Sequence, residues 1–341
     1  MLPDKRSSES ARNIMPSGKG MFYCGYGRDQ RFFLSARAPD ERLQVQAKLI
    51  YLLVLIITLT RSKQEDIRMP EKRVAPVINS LEEFEQKLPG YLNRDKKLAI
   101  LLDYDGTLAP IADNPSATHM PVELEKTLHK LAKHPQIFLA VISGRGLRDV
   151  QAHVSIDGTT YAGNHGLEIE YPDGSRHDYE LPAEIKKNYT DMVRELKEKV
   201  EKNGAWVEDK RVSLTYHYRD TPVALKDEQK KLATEICLSH GFRANQAHEA
   251  IEAKPPVNWN KGEAALYILK QKFGDTWPKN VRVVFAGDDT TDEDAMRALQ
   301  GLGRSFRIAS DAKVQTFADF RLPQQALMTD LLKWIAHVYI S

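Results

Sequence analysis

The stretch that most constrains this chain is residues 98–110, Leu-Ala-Ile-Leu-Leu-Asp-Tyr-Asp-Gly-Thr-Leu-Ala-Pro. Five apolar residues, 98–102, run directly into Asp103. A short unbroken apolar run reads as a strand buried on both faces, as in a parallel sheet, because alternation disappears when neither face meets water. Asp103 and Asp105 stand two residues apart, and Gly106 and Thr107 turn the chain. Sites in open α/β sheets form outside the carboxyl ends of the strands, so these carboxylates are placed to meet a ligand.

A carboxylate in that position can attack phosphorus and form an acyl phosphate. A second one can protonate the leaving oxygen and then activate water. Both tasks call for a divalent cation to offset crowded negative charge. Taken alone, Asp105 reads equally well as a helix N-cap. The whole string Asp-x-Asp-Gly-Thr-Leu behind an apolar strand is more specific. It resembles the haloacid dehalogenase superfamily, and within it the phosphatases. The resemblance implies three further stations downstream.

The second is Ser143, which closes the apolar strand at 137–142 and is followed by Gly144, Arg145 and Gly146. A Ser at a strand end can hydrogen-bond a phosphoryl oxygen, assisted by N–H groups of the next helix; the plainer role is an N-cap. Arg145 reads as an anion clamp or a solvated turn residue. The third is Lys261, where Lys-Gly opens a helix running to Phe273; a Lys aimed into a site offsets phosphate and carboxylate charge. The fourth is Gly287-Asp288-Asp289-Thr-Thr-Asp292-Glu293-Asp294, behind the apolar strand at 281–286. At a strand end these acids read as metal ligands, with Asp288 direct and Asp289 and Asp292 next. The spaced ligands of a calcium-binding EF-hand loop are missing.

Between the second and third stations the pattern changes. Two hairpins are expected, 167–171 with 176–179 and 204–207 with 212–218, together with helices at 184–202 and 223–240 and an extended piece at 250–253. In the later strand Val212, Leu214, Tyr216 and Tyr218 alternate with Ser213, Thr215, His217 and Arg219, giving one apolar and one polar face. The expected fold class is therefore α/β. A Rossmann-like haloacid dehalogenase core with a parallel sheet occupies 69–166 and 257–341, and an α+β cap is inserted at 167–256. Flanking elements are a helix from Ser80, with Glu83 completing a capping box, a helix behind Pro121, a strand at 305–308 and a closing helix at 328–339. Asp311 and the residues before Phe317 are expected near the core.

The Gly-Asn164-His165-Gly string resembles a feature of the trehalose-6-phosphate phosphatases at the core–cap junction. So do Glu208-x-Lys210 ahead of the alternating strand, Arg219 at its end, Glu252 before the third station, and the form of the fourth. The resemblance implies that Arg145, Asn164, His165, Glu208, Lys210, Arg219 and Glu252 bind a sugar phosphate, although a lone His is more often structural and the cap hairpin could be merely solvated. It implies Asp103 as nucleophile, Asp105 as general acid/base, Ser143 and Lys261 on the phosphoryl oxygens, and Mg²⁺ held by Asp103, the Asp105 backbone carbonyl and Asp288. The implied reaction is trehalose 6-phosphate plus water giving trehalose and phosphate. Rival readings are another sugar-phosphate phosphatase, a phosphomannomutase-like transferase, and a catalytically silent sugar-phosphate sensor.

The 341 residues suffice for two domains. Residues 1–68 hold 12 Lys/Arg against 7 Asp/Glu, and the rest 37 against 40, so neither part has the basic excess of a nucleic-acid binder. Cys24 and Cys237 make no disulfide framework, which suits a cytoplasmic location. Residues 1–48 read as disordered. The apolar run 49–60 is short of the ~20 residues a spanning helix needs and lies too far from Met1 for a signal peptide, so a membrane is not an expected partner unless this run anchors the chain. Ordinary globular sequence follows Met69, and a shorter natural product starting there is expected. Any coupling to trehalose-phosphate synthesis is expected through a separate synthase.

Overall fold

Strands buried on both faces must be covered by helices on both sides, and the chain is built that way. The structure is a computed structural model and describes residues 71–112, 117–247 and 249–340. The readings placed on residues 1–68 and on Met69 lie outside the described residues.

The described residues begin with β1 (Arg73–Val74) and α1 (Leu81–Lys87), then enter the main sheet at β2 (Lys97–Leu102). Helix α2 (Val122–Ala132) leads to β3 (Ile137–Ile142), α3 (Leu147–Val154) leads to β4 (Thr160–Gly163), and the hairpin β5 (Glu168–Glu170) and β6 (Arg176–Asp178) follows. Next come α4 (Ala183–Lys199), β7 (Trp206–Asp209), β8 (Leu214–His217), α5 (Val223–Ser239), β9 (Arg243–Ala247) and β10 (Ala250–Lys254). The chain returns through α6 (Lys261–Phe273), α7 (Trp277–Asn280), β11 (Val281–Gly287), α8 (Asp292–Ala298), β12 (Arg304–Ile308), β13 (Gln315–Thr316), β14 (Phe320–Leu322) and α9 (Leu327–Ile340).

The main sheet has the order β14-β12-β11-β2-β3-β4-β5-β6. It is parallel from β14 to β4 and antiparallel at the β5–β6 edge. Leu98, Ile100 and Leu102 of β2 pack with Phe84, Leu124, Leu147 and Leu331 on one face. Ala99 and Leu101 pack with Ala264, Ile268, Trp277 and Met296 on the other. Each fully buried Leu or Ile contributes ~1.5–3 kcal/mol, so the run 98–102 drives itself to the sheet centre. From β2 the chain steps to β3 on one side and later to β11 on the other, a topological switch point that opens a crevice at the carboxyl end of β2.

A second, antiparallel sheet has the order β7-β8-β10-β9. Val207, Leu214, Tyr216, Ile251 and Ala253 on one face pack with Met192 and Leu196 of α4 and with Ala233, Ile236 and Cys237 of α5. The register sets Glu208, Thr215, Glu252 and Asn245 side by side on the opposite face. Burial there differs from the half-buried strand expected at 212–218. Ser213 and Thr215 are buried along with Leu214 and Tyr216, because the polar face lies against the core.

Three local expectations change, and one strand, β9, was not expected. The hairpin at 167–179 forms, but β5 pairs with β4, so these residues extend the main sheet rather than the separate one. Strand β9, Arg-Ala-Asn-Gln-Ala, has no alternating apolar pattern because it is an exposed edge. At α1, Glu83 reaches back to the Asn79 N–H at 3.1 Å while Ser80 Oγ donates to Glu82, so the reciprocal capping box does not form. Asp311 is exposed and accepts from the Lys313 N–H at 2.9 Å, away from the core.

Candidate active site

The parallel register brings the ends of β2, β3 and β11 to one edge, so Asp103, Ser143 and Asp288 converge although 40 or more residues separate them in sequence. Lys261 joins them from the first position of α6, whose start is fixed by Asn260 accepting from the N–H groups of Gly262 and Glu263. Its Nζ lies 2.8 Å from Asp103 Oδ1 and 2.8 Å from Asp292 Oδ1. All three residues are buried. Asp292 Oδ2 accepts from the N–H groups of Asp288 (3.1 Å) and Asp289 (2.9 Å), so both its oxygens are engaged by the protein itself.

Oxygen atoms of Asp103, Asp288 and Asp292 lie within 4.8 Å of one another. Burial, and next the charge of Asp292, push the Asp103 carboxyl well above the usual carboxylate range against the pull of Lys261. The same two causes push Asp288 up to about 7. Burial opposes charge on Lys261, but Asp103 and Asp292 more than offset it and hold the ammonium charged. Three carboxylates thus face one ammonium in a water-poor pocket. An all-oxygen set with surplus negative charge fits a hard divalent cation. Gly106 has φ 74°, and a Cβ there would stand 2.1 Å from Asp288 Oδ2, so glycine is what lets that carboxylate lie against the β2 loop.

Arg145 takes a different place from the one expected. Its Nε and Nη2 donate to the two oxygens of Asp105, each at 2.7 Å. Nη1 reaches Asp149 at 2.9 Å and Nη2 reaches Thr118 Oγ1 at 3.0 Å. Ser143 is buried, and its Oγ accepts from the Arg145 N–H at 3.1 Å.

Asn164 is fully buried, and its amide is taken up by Glu168 (2.5 Å), the Lys210 carbonyl (3.2 Å) and Ser213 (2.8 Å). It therefore ties the β4 end to the second sheet. His165 Nε2 meets Glu252 Oε1 at 2.6 Å. Burial lowers the His165 pKa against the pull of Glu252, and Nε2–H donates to the Glu252 carboxylate. Its Nδ1 is buried with no hydrogen-bond partner among the described residues. A Cβ on Gly144 would stand 2.8 Å from the His165 ring, so this glycine seats the imidazole against the β3 loop. Lys210 reaches the Gly144 carbonyl at 3.3 Å and Glu208 at 3.8 Å.

The structure thus gathers Asp103, Lys261, Asp288 and Asp292 at the crevice, with Asp105, Ser143 and Arg145 on the adjoining loops. The polar sheet face with Glu208, Lys210 and Glu252 meets those loops. Two expected members stand apart. Asp289 is exposed, lies outside the carboxylate trio, and accepts from the hydroxyls of Thr290 and Thr291. Arg219 pairs with Glu249 at 3.5 Å, beyond the end of β8. Sequence reasoning missed Lys254, 2.8 Å from Glu252, and His217, 3.0 Å from Glu208 and stacked on Trp206. The signals for His217 are the alternation 213-215-217 and the His-Tyr-Arg string at the end of that strand, and Lys254 has none.

A parallel core with acidic strand ends and an α+β layer over its crevice is the haloacid dehalogenase fold. The solved C-terminal domain of Candida albicans trehalose-6-phosphate phosphatase has this fold, with a TM-score of 0.61 at 20% identity over 78% of this chain and 99% of that one. The family model for trehalose-phosphatase matches residues 101–326. A probable trehalose-phosphate phosphatase of Arabidopsis thaliana is 32% identical over 276 residues, covering 75% of this chain and 71% of the relative. The trehalose-phosphate phosphatase of Mycobacterium tuberculosis is 32% identical over 244 residues, 70% of this chain and 61% of that longer protein. The chain belongs to the trehalose-phosphatase family, and it is a phosphoric monoester hydrolase. Among the described residues no helix is long and apolar enough to cross a membrane.

Proposed function

We propose that this protein hydrolyses trehalose 6-phosphate to trehalose and phosphate, with Mg²⁺ as its cation and an aspartyl phosphate on Asp103 as intermediate. The observation that carries the reading is the buried Lys261, 2.8 Å from Asp103, in a crevice met by the polar face bearing Glu208, Lys210 and Glu252. Asp103 and Asp288, with the Asp105 backbone carbonyl, would hold the cation; Asp292, with both oxygens engaged, acts through Lys261, and Asp289 stays outside. When bound, Mg²⁺ supplies positive charge against the phosphoryl oxygens and the nucleophile.

The chain's own residues do the rest. Lys261 and Ser143 face the equatorial phosphoryl oxygens, where charge is spread in the transition state. An Asp103 oxygen forms a bond to phosphorus as the bond to the sugar oxygen breaks, and that oxygen takes a proton from Asp105. Water then attacks the acyl phosphate and gives its proton to Asp105, which restores both groups. Glu208, Lys210 and Glu252 are suited to sugar hydroxyls because they offer fixed acceptors and donors. The core is 69–166 and 257–341 with 167–256 as the inserted segment. The covering layer itself starts at α4, since β5 and β6 belong to the main sheet. A cytoplasmic location and coupling to a separate trehalose-phosphate synthase complete the reading.

The variant Asp103→Asn tests it. Its turnover of trehalose 6-phosphate should fall at least ~10³-fold while the protein still folds and melts cooperatively. Wild-type-like turnover would defeat the scheme.

A further inference from the structure

Arg145 sits where an anion clamp was expected, yet its donors are turned away from the Asp103–Lys261 pocket and onto Asp105. The guanidinium engages both Asp105 oxygens at 2.7 Å in the planar fork that only Arg can form. Among the described residues the guanidinium itself is further held by Asp149 at 2.9 Å, Thr118 Oγ1 at 3.0 Å, His153 Nε2 at 3.5 Å and the Tyr104 ring 5.2 Å away. Arg145 is only 9% exposed, whereas the Asp105 side chain is 41% exposed. The fork therefore covers one edge of the carboxylate and leaves the other open, where each oxygen keeps a second lone pair.

We infer that Arg145 is a positioning residue for Asp105: it fixes the plane of that carboxylate so that its open edge meets the leaving sugar oxygen, and it does not bind the phosphoryl group. The inference rests on the phosphatase reading above. As the Asp103–phosphorus bond forms, the electron pair of the breaking P–O bond goes to the sugar oxygen, which must take the Asp105 proton. An aryl oxygen needs no such proton, because the phenolate is a stable leaving group. A misplaced Asp105 therefore slows a sugar phosphate far more than an aryl phosphate in the first half-reaction, the one that kcat/KM reports. A residue that holds the phosphoryl group slows both alike.

The experiment compares kcat/KM for trehalose 6-phosphate and p-nitrophenyl phosphate in wild type, Arg145→Gln, Arg145→Lys and Thr118→Val. The expected result is that Arg145→Gln loses at least tenfold more on the sugar phosphate than on the aryl phosphate. Arg145→Lys, which keeps the charge but not the fork, should recover only part of the difference. Thr118→Val removes one brace and should move the ratio the same way by a smaller factor, which keeps the test decisive where Arg145→Gln folds poorly. Equal losses on both substrates, or an unchanged ratio in all variants, would overturn the inference and leave the phosphatase reading standing. Wild-type turnover of neither compound would overturn that reading, and this inference with it.

Discussion

Asp292→Asn separates a cation ligand from a residue that acts through Lys261. Asp292 is 0% exposed, with Oδ1 on Lys261 Nζ and Oδ2 on the N–H groups of Asp288 and Asp289. An Asn has one oxygen for these two sets of donors, and its NH₂ must point at one of them. Breaking a buried ion pair costs about 3–5 kcal/mol, but Lys261 retains Asp103 at 2.8 Å. The loss of one charge-assisted bond, about 1.5–3 kcal/mol, is therefore the better measure. For a chain of this size that lowers the melting temperature by about 3–12 °C. Melting is followed with and without Mg²⁺, beside phosphate release. Asp292→Asn should melt lower yet still gain stability from Mg²⁺, whereas Asp288→Asn should lose most of that gain. Turnover should fall because Lys261 is no longer held. An unchanged melting temperature in Asp292→Asn, or a vanished Mg²⁺ response, would refute the reasoning.

Three other outcomes follow from the same geometry. Gly106→Ala places a Cβ 2.1 Å from Asp288 Oδ2 at φ 74°, which costs about 1–2 kcal/mol in backbone alone; turnover should drop roughly 100-fold or more, checked by phosphate release. Asn164→Ala strips partners from Glu168, Ser213 and the Lys210 carbonyl and should lower stability by about 2–3 kcal/mol in urea melts. The third concerns acid. Burial works to raise Glu252, but His165 and Lys254 hold it below its ordinary value of 4.5, and burial holds His165 below its ordinary 6.5. Below 6.5 the unfolded chain binds a proton at His165 that the folded chain refuses, and below 4.5 the same holds for Glu252, so both contributions shrink as pH falls. Wild type should lose melting temperature from pH 7 to 4, and Glu252→Gln should lose less between pH 5 and 4; parallel curves would contradict this.

How much of this was legible in the chain depends on how local its cause is. The strands at 98–102, 137–142 and 281–286 read clearly because burial on both faces erases alternation, and their ends carry the acidic and Ser residues. Lys261 was readable only by its place after the inserted segment, since nothing around it announces burial. The partner of an edge hairpin has no local signature, so 167–179 read as part of the insertion although β5 pairs with β4. Strand β9 is polar and exposed, and only its neighbour β10 makes it a strand. The acidic run at 288–294 showed that carboxylates gather, but which of them turn inward depends on the backbone after Gly287: Asp292 accepts from two amides while Asp289 points out. The Arg145 fork could not be read because Asp105, 40 residues away, meets it only once β2 and β3 are paired.

The most direct measurement is phosphate release from trehalose 6-phosphate, sucrose 6-phosphate, glucose 6-phosphate and mannose 6-phosphate, with Mg²⁺ and again with EDTA. The account predicts strong, Mg²⁺-dependent preference for trehalose 6-phosphate. Mg²⁺-dependent release mainly from another sugar would keep the Asp103–Lys261 chemistry and contradict the role given to Glu208, Lys210 and Glu252, and no release from any of the four by folded protein would contradict the account as a whole.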